Sequence, residues 1–347
     1  MKWLRRYPIV LSAIFCFLSL EKTEAAGFIS NKRLVTWNVN SLKEVFTPLP
    51  SHDFSGSFCV WQNQDHKLWP LLLIASSHDS KQSVFDPDEV KEVEVLELGA
   101  ILQLASIEHD NKHYVVGLNR EGKDFTWIDP SRQEDKKVIH IPVYYPLKRV
   151  AFYQSPHSLK LYVFGINALG TVLTQLEFDT QKAELVPIRA FDLQEDFFER
   201  AVDIICDDES SRVYVVGERG RLACWDAEPN SSTKPILFLQ NPAVLDEGAN
   251  NDPKLYPSSQ QRWMLLKTTP NKNSRQDIGS IGLIERTSMK VMLWARGLDN
   301  PKPSRVLALV GCKELVSIDG SYENAIIGLD LEGRICLFDN RDFLLAK

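Results

Sequence analysis

The sequence lacks most of the residue patterns that mark metal, redox or nucleotide chemistry. It has six cysteines and seven histidines, but no C-x-x-C pair, and the histidines are scattered along the first half of the chain. Zinc and dithiol redox centres usually bring such ligands together in close pairs, so we expect neither. A G-x-S-x-G nucleophile motif and a glycine loop followed by Lys and then Ser or Thr are also absent.

Long apolar runs are missing from the whole chain except at its N-terminus. Lys2, Arg5 and Arg6 precede an uncharged apolar run over residues 7–20, and the small residues Ala25 and Ala26 follow. This order is typical of a secretory signal peptide, and the run is shorter than the ~20 residues of a membrane span. We expect residues 1–25 to be removed and residues 26–347 to form one domain, periplasmic or secreted. An uncleaved membrane anchor is the alternative.

Charge and cysteine content limit the partners and the crosslinks. The net charge of −6 argues against nucleic acid and anionic membrane as partners. Cys16 would leave with the signal peptide, and Cys206 and Cys224 could form a disulfide in an oxidising compartment. The remaining cysteines are expected to be small buried apolar residues: Cys59, Cys312 and Cys336.

A short hairpin recurs along the chain, with an apolar strand, a glycine-bearing turn and a second strand that ends in an acid. It is YVVGLNREGKDFTWID at residues 114–129, LYVFGINALGTVLTQLEFD at 161–179, VYVVGERGRLACWD at 213–226 and IIGLDLEGRICLFD at 326–339. A hairpin cannot bury its apolar face alone, so repeats of this length stack as propeller blades. The aromatic residues before the acids are predicted to pack between blades: Phe85, Trp127, Phe178, Trp225 and Phe338. The acids themselves are predicted to be structural turn residues: Asp86, Asp129, Asp179, Asp226 and Asp339.

The run of strands predicts an all-β fold, a six-bladed β-propeller with four strands in each blade. The units begin near residues 58, 101, 149, 201, 263 and 305, and the sixth has only three clear strands, at 305–310, 325–329 and 334–338. A β-like run at residues 33–37 is expected to complete the sixth sheet and close the ring, which removes exposed sheet edges. Residues 241–260 have almost no strand signal and are predicted to be a long loop.

Three stretches are similar to a known family. AFYQSP at residues 151–156, CDDESSRVYVVGE at 206–218 and WDAEP at 225–229 resemble the β-propeller phytases, in order and in spacing. That resemblance covers roughly residues 145–230. It implies a secreted, calcium-dependent phosphatase that hydrolyses phytate, a densely anionic substrate, and acts as a monomer. In such an enzyme, several Ca²⁺ ions held by carboxylates would bind the phosphates and activate a water molecule.

The resemblance also assigns candidate site residues. Asn119 and Arg120 match an Asn-Arg pair whose arginine contacts phosphate, and Tyr153 matches a tyrosine at the calcium site, where we expect substrate binding. Glu218 matches an acid of the metal site and is, with Arg120, a candidate catalytic residue. The other candidate metal ligands are Asp330, Asp246 and Glu247.

Several acids of the family pattern are replaced in this chain. Gly56 and Ser57 stand where the family has two aspartates, and the acid beside Glu218 is replaced by Gly217 or Arg219. Two hypotheses therefore stay open. The first is a phytase-like phosphomonoesterase with reduced activity. The second is a non-catalytic propeller that binds a small ligand or a partner protein.

Overall fold

The computed structural model describes residues 35–38, 56–62, 69–89, 91–131, 138–179, 182–197, 199–241, 262–270, 277–297, 299–309, 314–322, 325–331 and 334–346. Within these ranges nearly every regular element is a strand; α1 (Leu193–Asp196) and a 3₁₀ turn at Asn340–Asp342 are the exceptions. Among the described residues, no helix has the length and hydrophobicity needed to cross a bilayer. The predictions for residues 1–25, for residues 242–260 and for Cys312 lie outside the described ranges.

The described strands form six four-stranded antiparallel sheets and one small two-stranded sheet. After β1 (Val35–Asn38), blade 1 contains β2 (Gly56–Gln62), β3 (Leu71–Ser76), β4 (Lys81–Asp86) and β5 (Lys91–Glu97). Blade 2 contains β6 (Ile101–His109), β7 (Lys112–Asn119), β8 (Asp124–Ile128) and β9 (Ile139–Pro142). Blade 3 contains β10 (Leu147–Gln154), β11 (Leu161–Asn167), β12 (Val172–Asp179) and β13 (Glu184–Asp192). Blade 4 contains β14 (Ala201–Asp207), β15 (Arg212–Gly217), β16 (Leu222–Asp226) and β17 (Leu237–Leu239).

The last two blades interrupt this regular order. Blade 5 contains β18 (Trp263–Lys267), β20 (Ser280–Glu285), β21 (Lys290–Ala295) and β22 (Arg305–Ala308). Blade 6 contains β23 (Leu315–Asp319), β24 (Ala325–Asp330), β25 (Arg334–Asp339) and the early strand β1. The short strands β19 (Asp277–Ile278) and β26 (Leu345–Ala346) pair with each other. The predicted six-bladed propeller is therefore confirmed.

The strand β1 closes the ring, as predicted. It pairs antiparallel with β25, with Val35 opposite Leu337 and Asn38 opposite Arg334. This pairing covers the outer edge of the last blade, an edge that would otherwise present unpaired backbone groups to other chains. The N-terminal part of the domain thus holds its C-terminal part in place.

The glycine of each repeated hairpin has a packing role in the second strand. A Cβ at Gly117 would stand 2.9 Å from the Ile101 side chain, and one at Gly165 would stand 2.6 Å from Leu147. In blades 2, 3 and 6 the first apolar residue of the first strand fills the space that the glycine leaves: Ile101, Leu147 and Leu315. A larger residue there would push the first two strands of the blade apart.

The core lies between neighbouring blades, and the predicted aromatic residues occupy it. Trp127 of blade 2 packs on Phe178 of blade 3 with ring centroids 4.8 Å apart, and Trp225 of blade 4 packs edge-on against Phe191 of blade 3. Phe85 joins apolar residues of blades 1 and 6, and Phe338 joins those of blades 5 and 6. The inter-blade role of these residues is confirmed.

The acids that end the third strands are turn residues, also as predicted. Asp86 and Asp129 each accept a hydrogen bond from the backbone N–H two residues later, at 3.0 and 3.1 Å. The same contact, or one three residues later, is made by the others: Asp179, Asp226 and Asp339. Such side-chain turns explain the recurring acid without any ligand.

The boundary between the last two blades was predicted wrongly. Residues 305–310 were expected to open blade 6, but β22 pairs with β21 and is the outer strand of blade 5. The inner strand of blade 6 is β23, whose sequence LVSID mixes apolar and polar residues and gives a weak strand signal. Its polar residue Ser317 accepts a hydrogen bond from Phe58 N of the neighbouring first strand, a contact that alternation along the sequence cannot reveal.

The cysteines also differ from expectation. Cys206 on β14 and Cys224 on β16 are both buried and free, because β15 lies between their strands. Cys59 is buried and free, as expected. Cys336 is buried, but it is disulfide-bonded rather than a free apolar residue.

Candidate functional site

The first strands of the six blades surround a central channel with a cavity of about 270 Å³. The disc has two faces. The turn face carries the turns between second and third strands, such as residues 120–123, 168–171 and 218–221. The hairpin face carries the turns between first and second strands, such as residues 110–111 and 208–211. The turns of the repeated hairpins of the sequence, which join second and third strands, lie on the turn face. These two names are used below.

Asn119 lies at the end of β7 on the turn face and organises the turn that follows it. Its Oδ1 accepts from the backbone N–H of Lys123 at 2.8 Å and of Asp124 at 3.2 Å, and its Nδ2 donates to the Asp124 carboxylate. Asn167 has the same role in blade 3, where its Oδ1 accepts from Thr171 N at 2.8 Å. The Asn119 amide thus binds groups within its own turn.

Arg120 and Glu218 are exposed at the tips of two different turns on this face, in blades 2 and 4. Arg120 makes no side-chain hydrogen bond or ion pair with a described residue. Burial lowers the pKa of Lys148, and the charge of the nearby Glu218 partly opposes that shift.

Asp330 ends β24 on the turn face and is fully buried. Its Oδ2 lies 2.9 Å from Arg334 Nε and 2.8 Å from Arg334 Nη2, and its Oδ1 accepts from Arg334 N at 3.0 Å. Both carboxylate oxygens therefore bind the same arginine. A metal ion would have to displace that guanidinium to use them.

Tyr153 lies near the opposite end of its strand, towards the hairpin face, and is fully buried between blades 3 and 4. Its hydroxyl donates to Glu228 Oε1 at 2.5 Å and is hydrogen-bonded to Ser211 Oγ at 2.9 Å. Burial raises the pKa of Tyr153, and the hydrogen bond to Glu228 raises it further. The structure separates this residue from Asn119, Arg120 and Glu218.

The described candidates do not fit a calcium site. Asp330 is held by Arg334, Glu218 lies near Lys148, and Tyr153 lies on the other face. Among the described residues, no group of three or more His, Cys, Asp or Glu side chains is placed to hold a metal. Asp246 and Glu247 lie outside the described ranges, so their roles stay predictions.

Sequence reasoning missed a set of side chains that join neighbouring blades around the channel. Each lies near the start of a first strand, and its oxygen accepts a hydrogen bond from a backbone N–H of the next first strand. The pairs are Ser57 with Leu104 (2.9 Å), Gln103 with Val150 (2.9 Å), Asp203 with Leu265 (2.7 Å) and Ser317 with Phe58 (3.4 Å). We call these contacts the inter-blade clamps. The signal in the sequence was one polar residue at this position in most units.

Arg149 occupies the same position in blade 3 and reaches Asp203 of blade 4, with Nε 3.8 Å from Oδ1. Burial raises the pKa of Asp203, and the charge of Arg149 opposes that shift. Between blades 5 and 6, Arg286 donates a hydrogen bond to the Leu315 carbonyl at 2.5 Å, and its guanidinium lies 3.1 Å from the Glu314 carboxylate. The charged groups at the turn-face end of the channel thus neutralise one another.

The acidic turn at residues 207–209 makes contacts between neighbouring blades. Asp207 is buried and bound to the guanidinium of Arg296 from blade 5, while Glu209 reaches the same guanidinium at 3.4 Å. Asp208 accepts from Gln154 N of blade 3 at 2.9 Å and lies 3.4 Å from Lys267 Nζ of blade 5. This turn links blades 3, 4 and 5 on the hairpin face.

A second concave surface, the blade 3 groove, lies at the outer part of the turn face. Its volume is about 610 Å³, and its walls are the linker from blade 2, the turn at residues 168–171 and the outer strand β13. Apolar residues dominate the lining: Tyr145, Pro146, Ala168, Leu169, Pro187 and Ile188. Leu169 is 68% exposed, and the neighbouring Tyr144 is 73% exposed. No side chain of the described residues covers these two.

The turn in this groove differs from equivalent turns in the neighbouring blades. At its two central positions, blade 2 has Arg120-Glu121 and blade 4 has Glu218-Arg219, whereas blade 3 has Ala168-Leu169. Charged residues are the usual occupants of an exposed turn tip. An exposed leucine beside two tyrosines and two prolines marks a contact surface rather than a solvated turn.

Two cations lie near Glu218, outside the lining of the groove: Lys148 and Arg200. Neither side chain makes a hydrogen bond or an ion pair with a described residue. The Lys148 Nζ lies beside Gly170 of the turn at residues 168–171, since a Cβ added to Gly170 would stand 2.6 Å from it. Burial lowers the pKa of Lys148, Glu218 raises it, and the charges of Arg149 and Arg200 lower it further.

Comparison with known proteins identifies the fold alone. No family model matches the sequence, and no curated protein matches it. The solved structure of BBS1N in complex with ARL6DN matches with a TM-score of 0.50 and 10% identity, over 78% of this chain and 74% of that chain. The β-propeller domain of Cps50 (Swd1) from Myceliophteria thermophila matches with a TM-score of 0.48 and 11% identity, over 82% of each chain. The chain is a β-propeller, and the phytase resemblance gains no support from these matches.

Proposed function

We propose that this chain is a non-catalytic β-propeller that binds a partner protein through the blade 3 groove. The observation that carries the proposal is the exposed apolar turn of Ala168 and Leu169, where the neighbouring blades have charged residues. A surface of this kind is costly to leave in water and is typical of protein contacts.

The described candidate residues support binding rather than hydrolysis. Phytate hydrolysis of the expected kind needs several carboxylates free to hold Ca²⁺. Asp330 is bound to Arg334, and Glu218 lies near Lys148. The structural match to BBS1N, which was solved in complex with ARL6DN, supports the view that a propeller of this size can carry a protein partner.

The test compares enzymatic and binding readouts on the same protein. We expect no phosphate release from phytate in millimolar CaCl₂. We also expect equal melting temperatures in CaCl₂ and in EDTA, because an ion that binds only the folded state would raise the melting temperature.

The binding test uses an extract of the producing cells. From this extract, immobilised wild type and Val306→Asp should retain the same proteins, and Leu169→Asp should lose them. Val306 is the control because it is an exposed apolar residue on blade 5. Calcium-dependent release of phosphate would contradict the proposal.

A further inference from the structure

The kind of segment that the blade 3 groove binds can be specified further, on the basis of the proposed function. Small molecules are usually bound in enclosed clefts that cover most of their surface. This groove of about 610 Å³ is open instead, and most of its apolar lining is exposed: Pro146, Ala168, Leu169, Pro187, Ile188 and Ala190. Such a surface suits a protein segment, because the segment covers these side chains and leaves its own outer side in water.

The charged residue of the groove lining is Arg189, and its guanidinium is used within the protein. Its Nε donates to Gln175 Oε1 at 2.6 Å, its Nη1 to the Ser231 carbonyl at 2.7 Å and its Nη2 to the Asp226 carbonyl at 2.8 Å. Burial lowers the pKa of Arg189, and the charges of Asp226 and Glu228 oppose that shift. Each nitrogen of this guanidinium thus has an acceptor before any partner arrives.

The other polar side chains of the lining offer little to a charged ligand. Asn167 Oδ1 accepts from Thr171 N at 2.8 Å and from Val172 N at 3.1 Å, and Asn167 Nδ2 donates to Thr171 Oγ1. Thr174 is buried, and the Tyr145 hydroxyl is inaccessible to solvent. A charged side chain placed here would lose hydration without gaining a partner from the lining, which costs free energy. The groove therefore selects apolar, uncharged side chains.

The outer strand β13 is a poor template for an added strand. Pro187 lies in this strand and has no backbone N–H to donate. The register shifts beside it, so that Ile188 has no residue opposite it on β12. A proline and a bulge both disfavour pairing at a sheet edge. An extended segment in the groove would therefore leave backbone groups on that side without partners, which costs free energy.

An α-helix avoids this cost, because its backbone hydrogen bonds are made within the helix. A helix also presents apolar residues on one face at i, i+3 or i+4 and i+7, the spacing with which helices bind apolar grooves. We propose that the blade 3 groove binds an amphipathic α-helix of a partner protein, through a face that is apolar and uncharged. The apolar residues of the helix contact Pro146, Leu169 and Ile188, and its polar face stays in water.

Selection from two phage-displayed libraries tests the helical form of the occupant. One library varies the surface of a helix in a small helical-bundle scaffold, and the other displays random linear peptides with the same number of varied positions. Both are panned against the full domain, after depletion on the Leu169→Asp variant. We expect enrichment from the helical library, with apolar residues at i, i+3 or i+4 and i+7. A synthetic copy of the most enriched helix then serves as the probe in binding titrations.

Two substitutions in β13 separate binding by side chains from strand addition. Ile188→Asp puts a charge in the groove and should weaken the probe by roughly tenfold or more. Pro187→Val adds a backbone N–H at the edge and should change the affinity by less than about twofold, because the helix does not use that edge. Val306→Asp is the matched control for Ile188→Asp, since Val306 is an exposed apolar residue of another outer strand, and its affinity should equal that of wild type.

Changes in the probe test its shape and its charge. A proline at the centre of the probe interrupts the helix and should weaken binding by roughly tenfold or more. Asp and Lys at the central apolar position should each weaken binding to a similar extent, because neither charge gains a partner from the lining.

The outcomes separate this proposal from the proposed function. Linear peptides that need Leu169 and gain affinity on Pro187→Val, or a probe that tolerates the central proline, binds Ile188→Asp as it binds wild type or prefers one charge, would overturn the helical, uncharged occupant. The binding function would then remain intact. Failure to enrich any binder that depends on Leu169, from either library, would overturn both. Far-UV circular dichroism and melting of each variant exclude misfolding as the cause of lost binding.

Discussion

At the scale of single residues, the recurring acids of the described repeats have structural roles. The recurring third-strand aspartates accept backbone hydrogen bonds in their own turns, and Asp330 binds Arg334. A sequence motif gives the type of residue at a position, but not the cation that already neutralises it. Candidate ligands chosen from the phytase resemblance therefore include side chains that the fold has already paired.

The buried pair of Asp207 and Arg296 should make a large contribution to stability. Removing one member leaves an uncompensated buried charge, so we expect Asp207→Asn to lower the free energy of unfolding by about 3 kcal/mol in urea titrations. Glu209→Gln is the matched control, because Glu209 reaches the same guanidinium but is 68% exposed. The control should lose less than about 1 kcal/mol. Equal losses for the two variants would show that burial of the pair is unimportant.

This pair should also give a definite pH dependence. Burial raises the pKa of Asp207, but the hydrogen bond and charge of Arg296 outweigh it and hold the pKa below the ordinary value of 3.8. A carboxylate with a lowered folded-state pKa stabilises the protein above its unfolded pKa, and this stabilisation is lost as the pH falls through the folded pKa. The difference in stability between wild type and Asp207→Asn should therefore be constant above about pH 5 and shrink below pH 3.8.

At the scale of strands and hairpins, local pattern predicted most of the fold. The hairpins β7–β8, β11–β12, β15–β16 and β24–β25 are each made by one continuous stretch with a glycine at a fixed place. The boundary between blades 5 and 6 failed because the inner strand β23 is partly polar. The blade 3 groove was invisible because residues 145, 169 and 188 come together only in the folded sheet. Its one trace in the sequence is Ala168-Leu169 at a turn tip.

The inter-blade clamps explain why polar residues occur in first strands, and they can be tested one at a time. Gln103 binds both Val150 N and Val150 O, at 2.9 and 2.8 Å, so Gln103→Leu leaves two backbone groups without partners. We expect a loss of about 2 kcal/mol in urea unfolding. Met264 occupies the equivalent position in blade 5 and makes no such contact among the described residues. Met264→Leu is therefore the control, and it should lower the free energy of unfolding by less than about 1.5 kcal/mol. If the two variants lose equal stability, the clamp does not hold blades 2 and 3 together.

At the scale of the whole molecule, the ring depends on β1. Among the six described four-stranded sheets, blade 6 alone joins an N-terminal strand to C-terminal strands. Removing residues 1–38 would expose the edge of β25, whereas removing residues 1–30 would keep β1 and serves as the control. Each lost backbone hydrogen bond costs about 1 kcal/mol, so the chain that lacks residues 1–38 should melt several degrees lower than the control.

The chain that lacks residues 1–38 should also form dimers in size-exclusion chromatography with light scattering, because an unpaired sheet edge can pair with a strand of a second chain. A synthetic peptide of residues 33–40 should restore both the melting temperature and the monomer. Equal melting of the two truncated chains would mean that the six sheets hold together without β1, and that the inter-blade core alone closes the propeller.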